Sequence, residues 1–284
     1  MGTYAIAGNS GSAGKTTTVV TEAVLLAERG FTVRVIDVDP QANASTWLGH
    51  VDAPAPTVAD VLRGHRSIAD VERPARVILD IDEETGQPVY DDDETIPGVT
   101  VVPALRSTLD SLVVELASQP GAVLNLQDAL RDASPVDVTL IDCPGSLNVL
   151  VTAGLLATAA DDERGLITCV KPSGKEVEGI PALQQELANM RRIYKESIEL
   201  VSVVPCAVPP QGAVYEEQLA ALRDWLGDRV APSIRRRAIV DEAYTNYVPL
   251  PLYGHRAKDV VADYNAVIDH QLAAGLLAKR SQVA

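Results

Sequence analysis

Short apolar runs rich in Val and Ile alternate along the chain with longer stretches of helical periodicity. The runs are TYAIAG (3–8), TVRVIDV (32–38), GVTVVP (98–103), VDVTLID (136–142), GLITCV (165–170) and IELVSVVP (198–205). An unbroken apolar run marks a strand buried on both faces, so the alternation with helices predicts an α/β fold with a doubly wound, mostly parallel sheet flanked by helices. Between the first two runs Val19, Val20, Ala23, Val24 and Ala27 recur at helical spacing, and Gly30 follows as a stop signal. Near the other end, within 256–280, Val260, Val261, Tyr264, Val267, Ile268 and Leu272 mark an amphipathic helix expected to pack on the sheet.

One segment breaks the pattern. DIDEETGQPVYDDDE, residues 80–94, holds eight acidic residues and no basic one. With Gly86 and Pro88 near its centre it predicts a solvated hairpin or loose insert over about 78–97, a docking surface for a basic partner being the other reading. No Ser/Gly-rich or Pro-rich linker divides the chain, so residues 1–284 read as a single domain carrying that insert.

Charge and composition narrow the function. The formal net charge is −15, about half of it from the acidic segment, which excludes a protein that coats nucleic acid with its whole surface but leaves room for a local basic patch. Cys143, Cys169 and Cys206 lie far apart, suggest neither a disulfide framework nor a metal site, and read as buried thiols. His50, His65, His255 and His270 lack metal-ligand spacing and read as surface or loop residues. The first residues lack the basic n-region and long apolar h-region expected of a signal peptide, and no apolar stretch reaches the roughly 18 residues of a membrane span, so a soluble cytoplasmic protein without a membrane partner is expected.

The stretch GNSGSAGKTTT, residues 8–18, follows the first predicted strand and opens the first predicted helix. In a phosphate-binding loop, successive backbone N–H groups and the positive helix end converge on an anion, a Lys adds a point charge and a hydroxyl holds Mg²⁺. Gly11 and Gly14 would supply the special backbone dihedrals, Lys15 would reach the β- and γ-phosphates, and Thr16 would coordinate the metal, with Ser12, Ala13 and Thr17 completing the cradle. The strict pattern fails at one point, because Asn9 stands where the first Gly belongs.

Two further segments support the site. VIDVDPQANAS, residues 35–45, puts Asp37 and Asp39 at the carboxyl end of the second strand, where ligands collect in an open α/β sheet. VTLIDCPGSL, residues 138–147, ends another apolar run with Asp142, placed to hold Mg²⁺ as a Walker B acid does.

In order, SGSAGKTTT, VIDVDPQANAS, LIDCPGSLNVLVTAGLLATAAD and CVKPSGKEVEGI resemble the ParA/MinD group of deviant Walker ATPases, and its ParA branch most closely. The likeness continues through TVADVLRGHRSIADV, GVTVVPALRSTLDSL and SIRRRAIVDEA, and covers nearly everything except the acidic insert. The resemblance implies a P-loop NTPase that binds ATP and Mg²⁺, forms a homodimer on ATP, binds DNA non-specifically on the nucleoid, and works with a ParB-like or other adaptor protein to segregate a plasmid or chromosome. It also implies that Asp39 positions the attacking water while Asp37 and Asp142 support the metal. An Asp is a weak base at neutral pH, so hydrolysis is expected to be slow until a partner completes the site.

The chain departs from the family at Ser10, where a signature lysine is expected to cross the dimer to the partner's phosphates, and at Ser12, which replaces a Gly. Some relatives that distribute carboxysomes share the Ser and use a lysine from elsewhere, which makes a protein cargo an alternative. Lys175 is the preferred substitute over Lys171, because it follows Gly174 at an expected helix start; plain surface lysines are the bland alternative. For DNA the candidates are Arg235, Arg236, Arg237, Arg256 and Lys258, although the first three lie in a segment that in the family packs around adenine. Other readings are a small-molecule P-loop ligase or kinase and a nucleotide-gated interaction protein with negligible hydrolysis.

Overall fold

A computed structural model of the chain describes residues 1–8, 14–85, 88–119, 121–173 and 177–277. Among these residues seven strands form one sheet in the order β3-β4-β2-β5-β1-β6-β7. The six predicted runs are β1 (Gly2–Ile6), β2 (Val33–Asp37), β4 (Pro88–Val102), β5 (Val138–Asp142), β6 (Glu163–Val170) and β7 (Leu200–Pro205), and every pairing among them is parallel. The seventh strand, β3 (Arg73–Ile81), pairs antiparallel with β4 and gives the sheet its edge. Its own sequence hid it, because RPARVILDI opens with a proline and two arginines and shows no clean apolar run.

Side chains on a strand alternate between faces, and here both faces are buried. Ala5, Ala7, Ile36, Val38 and Ile141 point into one core, which is closed by α3 (Val58–Leu62), α5 (Arg106–Ser118), α6 (Asn125–Arg131), α7 (Val149–Ala157) and α8 (Gly179–Tyr194). Tyr4, Ile6, Val35 and Leu140 point into the other, closed by α1 (Lys15–Glu28), α2 (Asn43–Trp47) and α11 (Lys258–Ala273). On α11 Val260, Tyr264, Val267 and Ile268 are buried, with Val261 and Leu272 at the margin. The remaining helices are α4 (Ile68–Val71), α9 (Ala213–Leu226) and α10 (Ile239–Thr245).

All three cysteines are buried free thiols. Of the histidines expected as surface or loop residues, His50 is in a loop but not at the surface: it is buried, its Nε2 donates to the Pro74 carbonyl at 2.9 Å, and burial lowers its pKa to about 4. The cause is tertiary, since β3 folds back over the loop that carries it. No helix among the described residues is long and apolar enough to cross a membrane.

Candidate nucleotide site

The carboxyl ends of β1, β2 and β5 lie side by side, and the register sets Asp142 beside both Ile6 and Asp37. The chain leaves β1 and enters α1 through Gly14, whose φ of +89° is the left-handed conformation that glycine tolerates. A Cβ at Gly14 would also sit 3.3 Å from the side chain of Cys206, just past β7, so the site is tight as well as left-handed. Lys15, the first residue of α1, is 5% exposed. Thr16 donates its hydroxyl proton to Asp142 Oδ2 at 2.8 Å, which ties the phosphate-loop helix to the Walker B strand. Gly11, Ser12, Ala13 and Lys175, together with Ser10, lie outside the described residues.

Asp142 is fully buried, and its Oδ1 has no hydrogen-bond partner among the described residues. Burial pushes its carboxyl well above the usual carboxylate range, the charges of Asp37 and Asp39 push further, and the Thr16 hydrogen bond and Lys15 charge oppose them. A buried acid with an orphaned oxygen, next to a hydroxyl and a lysine, is chemically suited to a hydrated divalent cation beside a polyphosphate. Such a cation takes only one or two carboxylates from the protein; no cage of three or more His, Cys, Asp or Glu occurs among the described residues.

Asp37 is engaged differently. Its Oδ2 accepts from the amide and hydroxyl of Ser45, at 2.8 and 2.7 Å, and its Oδ1 accepts from the Asp39 amide at 3.1 Å. Burial raises its pKa to about 7, against the Ser45 hydrogen bonds and with help from the Asp39 charge. It braces the loop from 39 to 45 rather than offering a free oxygen. Asp39 itself is half-buried at the start of that loop, where its Oδ1 accepts from the Gln41 amide at 2.9 Å.

Sequence reasoning passed over the residues that hold this loop in place. Ser45 also accepts from the Ala104 amide through its hydroxyl, Arg106 donates to the Gln41 carbonyl at 3.1 Å, and Tyr244 donates to Asn43 Oδ1 at 2.8 Å. Ser45 and Asn43 stood within the quoted VIDVDPQANAS motif, whereas nothing in the sequence links Arg106 or Tyr244 to it.

The five candidate DNA cations do not form one free patch. Arg235 makes a two-pronged ion pair with Asp263, Arg237 pairs with Asp259 at 3.4 Å, and Arg256 pairs with Glu242. Arg236 and Lys258 are exposed, and neither forms an ion pair with a described residue.

A parallel sheet with a glycine-capped lysine at the head of α1 and a hydroxyl–carboxylate pair at the strand ends defines a P-loop NTPase fold. A family profile described as an AAA domain matches residues 1–200. The chain is 31% identical over 254 residues, 88% of its length and 86% of the relative's, to the chromosome partitioning protein ParA of Caulobacter vibrioides (strain NA1000 / CB15N). It belongs to the ParA-type family of partition ATPases. An ATP complex of a Cyanothece McdA variant shares its fold with a TM-score of 0.77 at 22% identity, over 99% of both chains. Cobyrinic acid a,c-diamide synthase from Mycobacterium smegmatis, with a bound ATP analog and magnesium, shares it at 0.71 and 22% identity, over 99% of this chain and 100% of that one.

Proposed function

We propose that this chain is an ATP-driven partition switch. It binds ATP and Mg²⁺, dimerises on ATP, holds non-specific DNA on the nucleoid, and is released when a ParB-like adaptor stimulates hydrolysis. The observation that carries the nucleotide reading is the Thr16–Asp142 pair, with the orphaned Asp142 Oδ1 beneath the buried Lys15. Thr16 and Asp142 would hold Mg²⁺, which when bound offsets phosphate charge and fixes the leaving group. Lys15 adds its charge at the β- and γ-phosphates, and Asp39 at the rim orients the attacking water rather than deprotonating it. Asp37 supports this set through the loop it braces.

Of the DNA candidates, Arg236 and Lys258 supply phosphate contacts directly. Arg235, Arg237 and Arg256 must first exchange an acidic partner, a modest loss because exposed ion pairs contribute only about 0–1 kcal/mol. The synthase shows that this fold also serves small-molecule chemistry, but the relative that matches most of both chains at 31% identity is a partition protein. Ser10 favours a second reading of the cargo, as a protein body rather than DNA.

The test is co-sedimentation of an Asp39→Ala protein with non-specific duplex DNA, in ATP and in ADP, at low and moderate salt. The expected result is salt-sensitive binding in ATP alone. Equal binding in both nucleotides, or none in either, removes the DNA-based switch.

A further inference from the structure

The family resemblance leaves out the acidic insert at about 78–97, which lies within the longer hairpin of β3 and β4. The hairpin reaches back to the segment that follows Asp39. The Arg76 amide donates to the Leu48 carbonyl at 3.0 Å, and the Tyr90 hydroxyl donates to the Thr46 carbonyl at 3.4 Å. Between them Gly49, at φ +86°, lets the two backbones touch: a Cβ there would lie 2.5 Å from the Arg76 Cβ and 3.1 Å from its Cα. The His50 bond to Pro74 closes the same seam.

Trp47 also meets Tyr244 of α10 edge to face with ring centroids 5.5 Å apart, and Tyr244 holds Asn43. Helix α2 and the turn after it therefore contact both the hairpin and α10. A five-residue helix cannot hold itself, so its place is set by these contacts. The loop it anchors runs back through Ala42, held at φ +53°, to Asp39.

We propose that the hairpin positions Asp39, with Tyr90 and the Gly49–Arg76 contact as the positioning residues that set where α2 and its loop sit. The inference rests on the reading of Asp39 as the group that orients water. The hairpin thereby joins the catalytic end of the sheet to an acidic arm at the sheet's edge.

Steady-state ATP hydrolysis by the full chain tests this, with kcat and KM for ATP measured for Tyr90→Phe, Tyr90→Ala, Gly49→Ala, Asp39→Ala and the Asp39→Ala/Gly49→Ala double variant. Gly49→Ala is expected to lower kcat by about ten-fold, with KM within about two-fold, because misplacing a catalytic group acts on the chemical step. Tyr90→Ala follows in the same direction and Tyr90→Phe by less, which keeps the test open should Gly49→Ala fail to fold. In the Asp39→Ala background Gly49→Ala should change the residual rate by less than about two-fold, since both act through one group. A slow Asp39→Ala beside parent-like Gly49→Ala and Tyr90→Ala overturns this inference alone, as does a Gly49→Ala effect of equal size in both backgrounds. A parent-like Asp39→Ala overturns the reading of Asp39, and this inference with it.

Discussion

Asp37 and Asp82 accept the same set of donors and respond in opposite ways. Asp37 takes two amides and the Ser45 hydroxyl; Asp82, at the turn of the hairpin, takes the amides of Glu84 and Thr85 and the Thr85 hydroxyl at 2.7 to 3.1 Å. Donors favour the ionised form, and at Asp82 the Thr85 hydrogen bonds lower the pKa. At Asp37 burial outweighs them and raises it to about 7. The desolvation of a fully enclosed carboxylate exceeds what three donors return, and a second charge at Asp39 adds to the excess. Asp37 and Asp142 at the strand ends are thus held in a state that a cation relieves, whereas Asp82 on the hairpin is already comfortable in water.

That contrast can be broken from either side. Asp142→Ala should reduce ATP hydrolysis by about a hundred-fold or more, since it removes the expected metal support together with the partner of Thr16. The same variant should lose little stability in metal-free buffer, because it discards an unfavourably buried charge; a large drop in the urea midpoint would contradict the electrostatic account. Asp37→Ala acts on stability instead. It strands the Ser45 amide and hydroxyl and the Asp39 amide, and should cost about 3 kcal/mol in urea unfolding, the scale of buried donors left unpaired.

Glu22 sharpens the comparison away from the site. On α1 it is fully buried, with its pKa raised to about 8 by burial and further by Cys169. Its folded value lies above the ordinary 4.5, so its neutral form is the one folding favours; the benefit is complete below about pH 4.5 and is lost as pH rises to about 8. Glu22→Gln, neutral at every pH, should therefore raise the melting temperature by several degrees at pH 9 and hardly at all at pH 4.5. Equal shifts at both values would count against it. The smallest effect belongs to the hairpin: Glu83→Gln with Glu84→Gln, both exposed, should leave the urea midpoint and the basal hydrolysis rate at parent values.

The sheet was legible in the sequence, and so were the residues that meet at the carboxyl ends of its strands. Continuous Val- and Ile-rich runs have no soluble arrangement other than strands covered on both faces, and helical spacing in 19–27 and 260–272 placed covering helices. Lys15, Thr16, Asp37, Asp39 and Asp142 were legible because each sits at a fixed offset from a strand end, and local spacing encodes that offset. Only the tertiary structure decided what depends on residues far apart in the chain. The pairing of β3 with β4, the burial of His50, the division of labour between Asp37 and Asp142, and the ion pairs that occupy Arg235, Arg237 and Arg256 all follow from which distant groups meet. The reason is physical: periodicity reports what a segment buries, but desolvation and pairing depend on the neighbours that folding brings to it.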